Sequence, residues 1–353
     1  MAGRLARREL LAYVTAIGAW TLGGAGVPGR RTLGLGQALA AAPELKSATA
    51  WGVIDAQISS QQILAAKKGY FTAHGLDVKN RLVQSGPDIG PLISGGSAQV
   101  SFETTITVII VNANNVNAVI VTPLANIGGT QAVVARRNLA LRSAKDLEGK
   151  RIGMAEGAGV FIAIRNMGKA MGVDISKLKF INMLPADQVA ALSRGDIDLM
   201  ACWEPWVTKA IEAGGEFLFS GKLSNLPGKK GPVDWMNFHS TMQVTRDFLT
   251  RNPETITRML MGLREATEFV NAHRTQAIDL LAPELHLKKT ELAAMMNRNV
   301  YSMVVDDSFR QDCDAFTSFL YGGKKIPTEP NIRRYTDFSM LARVDPSLVK
   351  VKI

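Results

Sequence analysis

Compared with itself, the chain repeats at an interval of about a hundred residues. "LISGGSAQVSFET" at 92–104 matches "ALSRGDIDLMACW" at 191–203, with Ser94 over Ser193 and Gly96 over Gly195. Upstream, "KGYFTAHGLDV" and "GKAMGVDI" set Gly75 over Gly172, and "WGVIDAQISS" lies over "RIGMAEGAGV". Each match is short, but all three keep one order and one offset, which is how a duplicated unit appears. Both copies read as a strand running into small residues, a helix stopped by glycine, then a short apolar strand. The expected fold is therefore α/β with two related lobes, each a mostly parallel sheet flanked by helices. The chain's 46% hydrophobic residues suffice to bury such cores.

Local signals agree with alternating elements. "SSQQILAAKKGYF" opens on serines suited to an N-cap and reaches a stop at Gly69. Ser143 and Asp146 have capping-box spacing ahead of the strand-like "KRIGMA". "NPETITRMLMGLREATEFVNAHR" offers Asn252 as cap and Pro253 at the first helical position. Its Ile256, Met259, Leu260, Leu263 and Val270 share one face at helical spacing. Further helices are expected from about 275 onwards, with a less ordered end.

The net charge of +10 would suggest nucleic acid if it were concentrated. Residues 1–40 hold five arginines (Arg4, Arg7, Arg8, Arg30, Arg31) against Glu9, which is +4 of the total. The remaining +6 is scattered, so no nucleic-acid partner is expected. That N-terminal stretch reads instead as an export leader: a basic head, an uncharged Gly- and Ala-rich run, then a small-x-small cleavage site at Ala38-Leu39-Ala40. Arg7-Arg8 ahead of a weakly hydrophobic core resembles a twin-arginine signal. Retention as a membrane anchor is the alternative, because the run is almost long enough to span. Only Cys202 and Cys313 occur, so no disulfide scaffold is possible, and Cys202 falls in a core-like strand where a free thiol is common. His74, His239, His273 and His286 lack metal-ligand spacing. No metal or cofactor is expected.

In open α/β sheets, ligands bind beyond the carboxyl ends of strands. In the first lobe those ends read Asp55-Ala56-Gln57-Ile58-Ser59-Ser60 and Glu103-Thr104-Thr105. In the second they read Glu156-Gly157-Ala158-Gly159-Val160 and Trp203-Glu204-Pro205. Each opens a helix, and helix starts favour an anion through free N–H groups and the dipole. Gly157 and Gly159 would admit an anion close to the backbone, while Ser59, Thr104 and Thr105 could donate hydroxyls. Taken singly, each end is an ordinary cap or tight turn; four facing one cleft make a site. Glu103 and Glu204 would repel an anion unless they cap helices, pair with a cation or hold an amino group. For Glu204, followed by Pro205, a cap role fits at least as well as ligand contact. Trp203 would supply a flat apolar wall, with Trp206 bracing it or packing on the lobe.

The ordered segments "AAKKGYFTAHGLDV", "LISGGSAQVSF", "SAKDLEGKRIGMAEGAG", "LPADQVAALSRGDIDLMACWEPW" and "TRDFLTRNPETI" resemble the solute-binding proteins of nitrate/sulfonate/taurine-type ABC importers, over about 47–275. The resemblance implies a two-lobed periplasmic-binding-protein-like fold of type II, with the ligand between lobes that close on it. Lobe I would comprise 45–125 plus 248–353 and lobe II 126–247, with crossings near "LANIGGTQAVVAR" and "HSTMQVTRDF". By position, it carries ligand contacts onto Gln57 and Ser59, with Ser60 beside them, onto Glu103, Thr104 and Thr105, onto Gly157, Ala158, Gly159 and Val160, and onto Trp203 with Glu204. "GAGV" lacks a hydroxyl that many relatives carry there. The implied protein is periplasmic, not an enzyme and monomeric. It would capture a small organic anion of the sulfonate or taurine type and present it to a membrane permease. A thiamine-precursor pyrimidine or an aromatic carboxylate are alternative cargoes. A pyrimidine-synthase-like enzyme on the same fold is a further alternative, although the cysteine cluster of that enzyme has no counterpart here.

Overall fold

The computed structural model describes residues 42–351, so the expected export signal at 1–40 lies outside the described residues. Strand β1 (Ser47–Val53) leads through α1 (Ser60–Lys67) and α2 (Tyr70–Ala73) to β2 (Asp77–Val83), then through α3 (Ile89–Ser94) to β3 (Val100–Thr104) and α4 (Thr105–Ala113). β4 (Ala118–Asn126) runs out of this unit, and β5 (Gln131–Ala135) begins the next. There β6 (Arg151–Met154), α5 (Val160–Met171), β7 (Lys179–Asn182), α6 (Pro185–Arg194), β8 (Leu199–Trp203) and α7 (Trp206–Glu212) repeat the plan. β9 (Glu216–Ser220), β10 (Leu223–Leu226) and β11 (Lys229–Pro232) extend the second sheet before β12 (His239–Thr245) returns to the first. The chain continues through α8 (Arg246–Arg251), α9 (Pro253–Ala272), α10 (Arg274–Glu284), α11 (Lys289–Met296), β13 (Val300–Tyr301), α12 (Asp307–Gly322) and α13 (Ser339–Val344).

The duplication is explicit in the sheets. Their orders are β13-β4-β12-β3-β1-β2 and β11-β10-β9-β5-β8-β6-β7. In each, a central strand (β1 or β6) pairs in parallel with its two neighbours. The glycines matched in sequence share one conformation, with φ of 77° and 67° at Gly75 and Gly172, and of 75° and 78° at Gly96 and Gly195. Only glycine adopts that region freely, so the same stop was readable twice.

One expectation needs correction. The sheets are mixed rather than mostly parallel, because β12 and β4 join the first sheet antiparallel and β5, β9, β10 and β11 join the second antiparallel. A strand arriving from the other lobe runs against the parallel trio it joins. The second crossing falls within the segment "HSTMQVTRDF": β12 pairs with β3 and β4, which puts residues 239–245 in the first sheet.

Capping departs from the simplest reading in an instructive way. Ser59 stands at the N-cap of α1, but its Oγ accepts the Val53 N–H at 3.0 Å. Pro253 begins α9 as expected, yet the Glu44 carboxylate accepts the N–H groups of Glu254 and Thr255, at 3.0 and 2.8 Å, in place of Asn252. The Ser143–Asp146 box is present. Ile256, Met259, Leu260, Leu263 and Val270 of α9 are buried in the main core. Cys202 and Cys313 are buried free thiols. Among the described residues no helix is long and apolar enough to cross a membrane.

Candidate functional site

The four strand ends meet. After β1 the backbone turns through Asp55, and Gln57 reaches from there to the other lobe. Gln57 Nε2 donates to both Asp55 carboxylate oxygens, at 3.2 and 3.1 Å, and to the Glu204 carbonyl at 3.2 Å. Its Oε1 accepts from the Thr130 hydroxyl and from Gln131 Nε2, the latter at 3.2 Å. The amide of Gln57, expected to contact ligand, is therefore a clasp joining the β1 end, the first crossing and the β8 end. Ser60 donates to the Ala56 carbonyl at 2.6 Å, so both serines of this turn spend hydroxyl contacts on their own backbone.

At the β3 end, Glu103 caps its own turn. Its Oε2 accepts the Thr104 N–H, the Thr104 hydroxyl at 2.6 Å and the Thr107 hydroxyl at 3.0 Å. Its Oε1 lies against Gly86, where a Cβ would collide with it. Thr105 is buried and donates to Asp312 of α12, at 3.1 Å to Oδ1. The same carboxylate accepts the His239 N–H at 2.7 Å and lies 2.7 Å from His239 Nδ1. Asp312 thus ties α4 to the first residue of β12.

The second lobe's ends are of a different character. Gly157 takes φ +76°, and Gly159 is the N-cap of α5. A Cβ on Gly159 would stand 3.0 and 3.1 Å from the Phe316 ring and 3.7 Å from Ile106 Cδ1. The space in which an anion was expected to approach is bordered by apolar side chains from α12 and α4. The N–H groups of Ala158, Phe161 and Ile162 already bond within the turn. Ala158 and Val160 are buried. At the β8 end Trp203 is half-buried and touches both hydrophobic cores. Trp206 packs on the second core with the Lys209 ammonium 4.4 Å from its ring centre, so its contribution is to the lobe. Glu204 is fully buried; its Oε2 accepts the Thr208 N–H at 2.9 Å and its Oε1 pairs with Arg298 Nη1 at 2.6 Å.

Charge is unevenly distributed. Burial pushes the Asp55 carboxyl up to about 6, with Gln57's hydrogen bonds opposing and the charges of Glu103 and Glu204 adding. Burial raises Glu103 as well, against the pull of Thr104 and Thr107. It also raises Glu204, against Thr208 and Arg298. Reading the sequence did not single out Asp55, Arg298, Asp312 or Phe316. Asp55 stood in a quoted strand end, but nothing local marked the other three. Among the described residues no group of three or more His, Cys, Asp and Glu could hold a metal ion.

Known proteins with the same architecture are similar to this chain along most of its length. A Brucella abortus protein named as a binding protein is 26% identical over 231 residues, covering 65% of this chain and 68% of that one. The taurine-binding periplasmic protein of Escherichia coli is 23% identical over 195 residues, 55% of this chain and 58% of that one. The periplasmic aliphatic sulphonate binding protein of Escherichia coli, 17% identical, shares the fold with a TM-score of 0.68 over 82% of this chain and 92% of that one. The family model described as "NMT1/THI5 like" matches residues 59–277, more than half the chain, and the chain belongs to that family.

Proposed function

We propose that this is an extracytoplasmic solute-binding protein that captures a small organic anion of the sulfonate or taurine type between its lobes and hands it to an ABC importer. The observations that carry the reading are the link of the β1 and β8 ends through Gln57 and Glu204, and the approach of Ile106, just after β3, to Gly159 beyond β6, in a chain of this family. Relatives named for taurine and aliphatic sulphonate support the cargo class. Export to the periplasm, work as a monomer and a membrane permease as partner belong to the same reading. So does the lack of a catalytic role. Lobe I is taken as 45–125 plus the C-terminal region, and lobe II as the segment between.

Asp55 and Glu103 narrow the cargo. Glu103 is buried and Asp55 part-buried, both with raised proton affinity, which favours a ligand bringing a protonated nitrogen beside its anionic group. Taurine has that pairing; nitrate and unsubstituted alkanesulfonates do not. An amino-bearing pyrimidine against Trp203 is the second reading, favoured by the same carboxylates.

Thermal unfolding with taurine, ethanesulfonate, nitrate, an aminopyrimidine and benzoate tests this. A ligand at a hundred times its dissociation constant stabilises by about 2.7 kcal/mol, worth several degrees for a chain of this size. Taurine is expected to give the largest shift. A shift with nitrate or benzoate and none with taurine would overturn the cargo assignment.

A further inference from the structure

Arg298 lies between α11 and β13, in the C-terminal part of the chain, but its side chain ends in the second lobe. Its guanidinium meets Glu204 at 2.6 Å and stands 5.7 Å from the centre of the Phe217 ring on β9. Its main chain is at the crossing between lobes: a Cβ on Gly129 would collide with the Arg298 carbonyl. A Cβ on neighbouring Gly128 would collide with the carbonyl of Met236, on the returning chain. Arg298 is therefore packed where both crossings pass, close to any axis about which the lobes turn.

We infer that Arg298 is a positioning residue, which holds the Trp203-Glu204-Pro205 turn in register with the Gln57 clasp so that Trp203 is preset as the ligand wall. Glu204 is fully buried and Arg298 is the cation paired with it. A buried carboxylate deprived of its cation is far more costly than an exposed one, so the turn would leave this arrangement to rehydrate it. Glu204 is also bound from its other sides. Its carbonyl accepts from Gln57 and its Oε2 from the Thr208 N–H. Release of the Glu204 side chain therefore reaches both the clasp and the start of α7. Because Arg298 is at the crossing, the pair can persist whether the lobes are apart or together. Its effect is then on the shape of the site, not on closure alone.

The inference rests on reading the cleft as the ligand site, so its test has one arm that needs no ligand. Subtracting the emission of Trp203→Phe from that of its parent isolates the indole at 203. In Arg298→Gln this component should move to longer wavelength as the turn loosens, and Arg298→Lys, which keeps the charge, should restore most of it. Arg298→Met removes the cation, leaves the Glu204 carboxylate and its Thr208 contact in place, and should give the same shift should Arg298→Gln not fold. Taurine affinity by calorimetry should fall at least tenfold in Arg298→Gln and recover to within about threefold in Arg298→Lys. An unmoved Trp203 component in both charge-removing variants would overturn the inference. So would a lysine variant no better than the glutamine one. Failure of the parent protein to bind taurine would count against the cargo and leave the emission arm to decide Arg298.

Discussion

After β1 the first lobe turns through Asp55, Gln57, Ser59 and Ser60; after β6 the second turns through Gly157, Ala158, Gly159 and Val160. The backbone plan is shared, down to the positive φ of the matched glycines, but the chemistry is divided. The first lobe offers carboxylates and hydroxyls bound to one another, and the second offers glycines bordered by Phe316 and Ile106, with Trp203 alongside and its buried carboxylate there, Glu204, neutralised by Arg298. One helix serves both. Asp312 of α12 anchors Thr105 and His239 under the polar end, and Phe316, one helical turn later on the same face, packs on Gly159 at the apolar end. On the proposed reading, the duplicated backbone fixes where a ligand would sit. The side chains added to each copy then decide what each half can recognise.

If the polar end is a network, cutting its anchor should exceed any single change at the apolar end. Asp312→Ala leaves the His239 N–H and the Thr105 hydroxyl without their acceptor in a buried place. The expected cost is about 3–5 kcal/mol in denaturant unfolding. A loss below about 1 kcal/mol would show that water or rearrangement replaces the carboxylate, and the contrast between lobes would weaken.

The second effect is a pH dependence at the end of β1. With its carboxyl pushed up to about 6 by burial, Asp55 binds its proton more tightly folded than unfolded. Its contribution to stability is therefore present below the unfolded value near 4 and is lost as pH rises towards 6, by on the order of 3 kcal/mol. Asp55→Asn should remove that loss, leaving a variant more stable than its parent above pH 6 and level with it near pH 4. Parallel denaturation curves for parent and variant across that window would show Asp55 to be ionised without penalty.

Much of this plan was legible. The strand ends and the glycine stops follow from short patterns whose cause is local. Strand direction was not, since an apolar run such as "AVIVTPLAN" reads alike whether its neighbour is parallel or antiparallel, and so the mixed sheets went unforeseen. Nor were the partners of the site. Arg298 meets a residue 94 positions away and Asp312 one 207 positions away, and only tertiary packing brings them together. Gln57 has partners that its place in the sequence does not reveal. Its amide makes hydrogen bonds to Asp55, Glu204, Thr130 and Gln131.

At the apolar end, Trp203→Ala should weaken ligand binding by about ten- to a hundredfold, or 1.4–2.8 kcal/mol, while the fold survives. Calorimetry with the ligand that emerges from the thermal screen measures it. Unchanged affinity would remove Trp203 from the site and leave the second lobe with no recognised contribution beyond shape.

The smallest effect tests whether the apolar border is rigid. Gly159 has φ −59° and ψ −27°, an ordinary helical conformation, so alanine there meets no backbone strain and would by itself gain a few tenths of a kcal/mol. Against this, its Cβ would stand 3.0 Å from a fully buried Phe316, whose ring is itself held 4.6 Å from that of Phe238. Crowding of that kind costs about 1–3 kcal/mol, so a net loss near 1 kcal/mol is expected. Phe316→Leu in the same chain should recover part of it, which strain in the turn could not explain. Gly157→Ala is the contrasting change: its Cβ meets nothing within 4 Å, but its φ of +76° costs alanine about 1 kcal/mol that no substitution at Phe316 can return. Equal response of the two variants to Phe316→Leu would mean that the ring does not border the turn as a fixed wall, and that the second lobe's end is free to reshape around an anion.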